Sequence, residues 1–142
     1  MFNVLGVEVS LLAITLAVVA NMVLGMLWYG PILGKQWVSL VGKKKEDLVM
    51  KPTDILVAIV MATLIAIGMN SILHFARDVS GLDYLQNVLV SAGMVATVFI
   101  IPVLGNEIVW EGRNPKLIAL NWGHQFATYL VSGLVLGWFI YN

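Results

Sequence analysis

The chain has 142 residues, 60% hydrophobic and 11% charged, with eight Lys and Arg balanced by eight Asp and Glu. Average soluble domains are about 45–50% apolar and about 25% charged, so a mean hydropathy of +0.92 excludes an ordinary soluble domain and points to the bilayer as solvent. Zero net charge gives no basis for a nucleic-acid partner, and the lack of cysteine excludes disulfides, thiolate metal sites and a thiol nucleophile.

Met1 to Glu8 is short and holds no Lys or Arg, so an N-terminus outside the cytoplasm is expected. No cationic segment precedes the first apolar stretch and no small-residue cleavage site follows it. Residues 9–29 therefore read as a retained span rather than a signal peptide. Pro31 stops this helix, because proline lacks an amide hydrogen and disfavours helix before it. After it, Ile32, Leu33, Trp37, Leu40 and Val41 recur at helical spacing, with Lys35, Gln36 and Ser39 between them. That pattern predicts a short helix in the membrane interface, ended by Gly42, with Trp37 at headgroup depth. Lys43, Lys44 and Lys45 then face anionic headgroups, offset by Glu46 and Asp47; a plain topological signal explains the same run.

The second span, residues 53–75, starts at an N-cap-like Thr53 or Asp54. Arg77, Asp78 and Asp83 mark an outer loop with Ser80–Gly81 as its turn. The third span covers residues 84–104, with a possible extension to Trp110 and a kink at Pro102. Glu111 to Pro115 form the next loop, and residues 116–141 the fourth span. Four spans of about 20 residues each use nearly the whole chain, so residues 1–142 read as one integral membrane domain. The expected fold is an all-α four-transmembrane-helix bundle with a short interfacial helix after the first span.

Charge sets the orientation. Lys35, Lys43, Lys44, Lys45 and Lys51 lie in the first loop, Arg113 and Lys116 at the third, and only Arg77 at the second. Lys and Arg beside spans stay cytoplasmic, which places loops one and three inside and both termini outside. An internal similarity, Met22 to Tyr29 against Leu134 to Tyr141, would be an inverted repeat of the transporter kind, but eight common membrane letters carry little.

In lipid, helices associate through small residues and interhelical hydrogen bonds. Ala58, Ala62, Ala66 and Asn70 recur every four residues on the second span, and Gly133 and Gly137 do so on the fourth. Asn21 lies in the inner half of the first span. Asn121, His124 and Gln125 lie roughly 8–14 Å above the inner boundary of the fourth, and Glu107 closes the third at that side. Polar groups inside a membrane mark functional sites by default, so Asn21, Glu107, Asn121, His124 and Gln125 are the candidate polar pocket. Mutual pairing within a bundle is the competing account of most of them. Glu107 has its own, as an interface carboxylate meeting Arg113 or Lys116. His124 is a hydrogen-bonding tie or, with an unperturbed pKa of about 6.5, a proton relay. His74 and His124 lie about 20 Å apart in depth, too far to share a haem, and no metal-ligand spacing is present.

The run Gly25-Met-Leu-Trp28-Tyr29-Gly30-Pro31-Ile-Leu-Gly34-Lys35-Gln-Trp37 resembles the bacterial membrane family called domain of unknown function 1761. Glu111-Gly112-Arg113-x-x-Lys116, followed by Asn121 and Gly123, resembles its second block. His124–Gln125 stands where the resemblance implies an aromatic or apolar pair. The resemblance implies a fold and a location in the bacterial inner membrane, and no activity or cofactor. Physically, Trp28, Tyr29, Pro31, Lys35 and Trp37 form an interfacial anchor and turn.

With no nucleophile–base pair and no metal motif, an enzyme is not expected. The leading expectation is a non-enzymatic membrane protein, either a homo-oligomer or associated with another membrane protein. The alternative is a small-solute transporter or channel using a cytoplasm-facing polar pocket. Proton-coupled drug export needs a carboxylate deep in the first helix, where this chain has Asn21.

Overall fold

The computed structural model describes residues 2–4, 7–42, 46 and 49–142, with only the backbone of Phe2 and Val4. Lys43, Lys44, Lys45 and Asp47, with the headgroup contact expected of that run, lie outside the described residues. The described architecture is helical apart from one hairpin, Phe2–Val4 (β1) against Val7–Val9 (β2), antiparallel with Asn3 opposite Glu8. The sequence reading had no strands here. They form because β2 has a neighbour: Asn70 donates its amide to the Glu8 carbonyl at 3.2 Å, and Val9 is fully buried.

Helix α1 (Leu11–Leu27) starts at Ser10, whose hydroxyl accepts from the Ala13 amide. It passes into a π-helical turn at Trp28–Ile32, broken at Gly30 (φ −108°, ψ −106°) beside Pro31. Helix α2 (Gly34–Val41) follows and ends at Gly42 with φ +69°, as the spacing predicted. The turn needs Gly34: a Cβ there would lie 2.7 Å from the Tyr29 carbonyl oxygen.

Helix α3 (Pro52–Ser80) is capped at Lys51, not at Thr53 or Asp54. Asp54 acts from inside the first turn, accepting from the Lys51 amide at 2.9 Å, as an N3 carboxylate does in a capping box. The helix also runs past the expected end, taking Arg77 and Asp78 out of the loop. Arg77 donates to the Ile140 carbonyl at 3.0 Å and pairs with Asp78, and Gly81 (φ +63°) supplies the left-handed cap.

Helix α4 (Tyr84–Met94), a π-helical turn at Val95–Ile100 and helix α5 (Ile101–Glu111) form one continuous rod. The irregularity falls just before Pro102, which cannot donate to the turn behind it. Trp122 donates its indole N–H to the Ala96 carbonyl in this turn at 3.1 Å. Gly112 (φ +64°) ends the rod, Asn114 caps the next helix through the Lys116 amide, and α6 (Pro115–Tyr141) completes the chain.

Paired residues give the directions. Asn21 meets Ser132 while Tyr29 meets Asn121, so α1 and α6 are antiparallel. Gly133 faces Val88 while Trp122 reaches Ala96, so the α4–α5 rod is antiparallel to α6. Helix α6 sits at the centre, packed by α1, α3 and α4. Loops one and three share one end of the bundle, and the hairpin, Arg77 and Tyr141 the other.

Among the described residues, three helices are long and apolar enough to cross a membrane: Leu11–Ile32, Pro52–Ser80 and Tyr84–Glu111. Their outward faces carry large apolar side chains such as Leu56, Leu64, Leu89 and Phe99. Helix α6 has the length, 27 residues or about 40 Å, but it carries the polar stripe.

The hairpin end is tied by polar and small residues together. Asn87 is fully buried and donates to the Leu73 carbonyl (2.8 Å) and the Tyr141 hydroxyl (2.9 Å), while Ser91 donates to Asn87 Oδ1 (2.9 Å). Tyr141 in turn donates to the Leu82 carbonyl at 2.9 Å. A Cβ on Gly137 would lie 2.6 Å from the Tyr84 ring, and one on Gly133 2.9 Å from Val88. Gly133→Ala and Gly137→Ala are each expected to destabilise the bundle by about 1–3 kcal/mol through overpacking. Gly68→Ala and Gly93→Ala, where a Cβ meets nothing within 4 Å, should be neutral or stabilising by about 0.5–1 kcal/mol. Unfolding in mixed micelles measures the four against each other.

Candidate functional site

At the other end the helices part. Ala17 on α1 and Ala66 on α3 are buried where the two helices are close, and Ala62 is buried one turn further along. From Ala62 toward the loop-one end, α1, α3 and α6 border a half-open cavity of about 580 Å³, within the size range of small-molecule sites. Asn21 and Gly25 line it from α1, Tyr29 from the π-helical turn, Ala58 and Met61 from α3, and His124, Gln125 and Thr128 from α6. Trp37 of α2 and Met50, just before α3, also line it. The Gly30 break brings Trp37 there, since without it α2 would continue along the axis of α1.

Asn21 is 6% exposed and its amide nitrogen donates to Ser132 Oγ at 2.8 Å. Its Oδ1 is buried and has no partner among the described residues, and the same is true of His124 Nε2 and Trp28 Nε1. The His124 ring lies between aromatics, with centroids 4.8 Å from Tyr29 and 5.9 Å from Trp28. Tyr29 meets Trp37 edge-on at 5.3 Å. Close approach here uses Gly123, where a Cβ would lie 3.2 Å from the Trp28 ring, while one on Gly25 would make ordinary contact with His124 Nε2 at 3.6 Å.

Of the five candidate pocket residues, Asn21, His124 and Gln125 line the cavity together. Asn121 stands behind the wall, accepting from the Tyr29 hydroxyl at 3.3 Å. Glu107 is not among the lining residues. It meets Arg113 at 3.0 Å, the second of its two readings, and Arg113 also holds Glu111. Of the packing residues, Ala62, Ala66, Asn70, Gly133 and Gly137 are buried, whereas Ala58 is half-buried and lines the cavity. Of the anchor residues, Tyr29 and Trp37 are walls of the cavity, while Pro31 and Lys35 are exposed. Trp28 borders a second cavity of about 490 Å³ beside Lys116 and Ser39.

Sequence reasoning missed the methionines Met22, Met26, Met50 and Met61, which supply much of the wall. A signal existed: residues 22, 25, 26 and 29, and residues 58, 61, 62 and 65, each fall on one helical face at 3–4-residue spacing. Among the described residues there is no group of three or more His, Cys, Asp or Glu that could hold a metal ion.

Fold and site together describe a small helical protein with apolar outer faces, three helices fit for a membrane and a half-open cavity whose described lining carries no charged residue. The chain belongs to the family described as protein of unknown function (DUF1761), whose model matches residues 12–137. No curated protein and no solved structure matches it. The match covers both sequence blocks noted above. The structure gives the first block a mechanical role: Gly30 breaks the helix, Gly34 admits the Tyr29 carbonyl, and Tyr29 and Trp37 close on the cavity.

Two buried asparagines make contrasting use of their amides. Asn87 is held through both amide atoms, so Asn87→Leu is expected to cost about 2–3 kcal/mol by stranding its partners. Asn21 uses one end only, and Ser132 can turn its hydroxyl to its own helix backbone, as Thr128 does to the His124 carbonyl. Asn21→Leu should therefore change stability by less than about 1 kcal/mol. Parallel unfolding of the two variants checks the contrast.

Proposed function

We propose that this chain is a four-span inner-membrane protein that captures a small, uncharged, amphipathic solute in the cavity between α1, α3 and α6, without covalent chemistry. In this arrangement α6 is the fourth span, its polar stripe covered by the other three helices, and α2 lies in the cytoplasmic interface. Both termini are outside, and loops one and three are inside. The Lys and Arg distribution supports this orientation, as does the placement of Lys35, Lys51, Arg113 and Lys116 at one end of the bundle.

One observation carries the binding reading: the cavity is lined by Asn21, a buried residue whose carbonyl oxygen lacks a partner. Leaving a buried acceptor unsatisfied costs about 1–3 kcal/mol, and a ligand donor removes that cost. Toward the hairpin end the cavity is closed by packed side chains, including Ala17, Ala66 and Met69. That favours capture from the cytoplasmic half over an open channel. An oligomer or a partner protein was expected from the small-residue stripes. Ala62, Ala66, Gly133 and Gly137 are buried within one chain.

Ala58→Phe tests the reading, because it puts a ring into the cavity from a half-buried position. In lipid nanodiscs, the neutral fluorophore N-phenyl-1-naphthylamine should bind the native protein saturably, at one site per chain above protein-free discs. Ala58→Phe should lower that affinity by tenfold or more at unchanged thermal stability. Non-saturable partitioning, equal in both proteins, would rule the binding site out. For orientation, a periplasmic reporter fused after Asn142 should be active and one placed after Gly112 inactive; the reverse pattern inverts the topology.

A further inference from the structure

The lining of the cavity restricts what it can hold. Among the described residues, no Asp, Glu, Lys or Arg lines it. Burying an unpaired ion costs several kcal/mol. Cation–π attraction to Tyr29 and Trp37 returns about 2 kcal/mol or more when desolvated, against a cost of several kcal/mol for the ion. A lining without a charged partner favours a neutral occupant. Its wall is made of thioethers and rings: Met22, Met26 and Met61 stand near Tyr29, Trp37 and His124. Methionine sulfur favours the edge of an aromatic ring by about 0.3–1.5 kcal/mol. Tyr29 and Trp37 already meet edge-on, and such edges pair with a further ring in offset or T-shaped geometry.

Asn21 supplies one unmet acceptor beside the cavity, whose other polar lining groups come from His124, Gln125 and Thr128. Its amide nitrogen is committed to Ser132, so the end left over is an acceptor. A carbonyl or ether on the ligand would face another lone pair there, whereas an O–H or N–H completes the bond. Resting on the binding reading above, we propose that the cavity takes an uncharged aromatic molecule carrying one hydrogen-bond donor, of the phenol or indole class, with its donor on Asn21 Oδ1. The apolar remainder of the molecule lies along Met61 and Ala58. At about 580 Å³ the cavity exceeds a single ring, which suits a bicyclic head or a ring bearing a short chain.

Probes that differ only at the polar atom separate this class from general hydrophobic binding. The intact protein in nanodiscs is titrated with 1-naphthol, with 1-methoxynaphthalene and with the anion 1-naphthalenesulfonate, each measured against protein-free discs. The expected order is naphthol tighter than its methyl ether by about tenfold, the effect of one buried hydrogen bond, with no saturable sulfonate binding. Asn21→Leu should reduce the naphthol preference to twofold or less while leaving the ether unchanged. Ala58→Phe should weaken both neutral probes. Equal binding of naphthol and ether in the native protein overturns the donor assignment while the cavity reading stands. Saturable sulfonate binding that Ala58→Phe removes overturns neutrality. If neither neutral probe binds in an Ala58→Phe-sensitive way, the cavity reading itself fails and this inference falls with it.

Discussion

Hydrocarbon supplies no hydrogen bonds, so a polar side chain inside a bilayer needs a partner from the protein itself. In the proposed four-span arrangement α6 carries the longest polar stripe, Asn121, His124, Gln125, Thr128 and Ser132, while Asn21, Asn70, Asn87 and Ser91 are buried on the other helices. The other helices are arranged around that need. Helix α1 brings Asn21 to Ser132 and Tyr29 to Asn121. The α4–α5 rod, loosened by its π-helical turn, offers the Ala96 carbonyl to Trp122. Helix α3 reaches the far end of α6 through Arg77. As proposed, α6 would become a span through enclosure of its polar stripe by three apolar helices.

The two ends of the bundle meet the same constraint differently. At the hairpin end, Asn87, Ser91 and Tyr141 satisfy one another, and Gly133 and Gly137 let Val88 and Tyr84 approach closely. That half is closed. At the loop-one end the polar groups are held in part: Asn21 by one atom, with His124 Nε2 and Trp28 Nε1 left over. A fold optimised only for stability would pair these groups or replace them. Incomplete pairing beside an uncharged cavity is the pattern expected where binding, rather than packing, has set the residues.

Much of this was legible before any coordinates. Polar residues are rare in spans, so Asn21, His124 and Gln125 stood out, and helical rise placed them at one depth. Gly42 marked a helix end, whereas Gly81 and Gly112 read only as loop residues and prove to be left-handed caps of longer helices. Depth alone did not give rotation about the helix axis, which is why Glu107 was grouped with the others although it turns toward Arg113. Methionines and Ala58 read as ordinary lipid-facing or packing residues, and only the parting of α1 from α3 makes them walls. The Asn87 network joins residues from three separate helices, and no local pattern announces such a contact. The hairpin was missed for a similar reason, since its strands depend on a side chain more than sixty residues away.

The central claim is that the parting of α1 and α3 is a built, occupied site. An experimental structure of the protein purified from its own membrane into nanodiscs tests this most directly. The account predicts non-protein density in the cavity, within hydrogen-bond distance of Asn21 Oδ1 and against Tyr29 and Trp37. Helices α1 and α3 packed together along their full length, with Asn21 Oδ1 bonded to protein and no space beside His124, would contradict it.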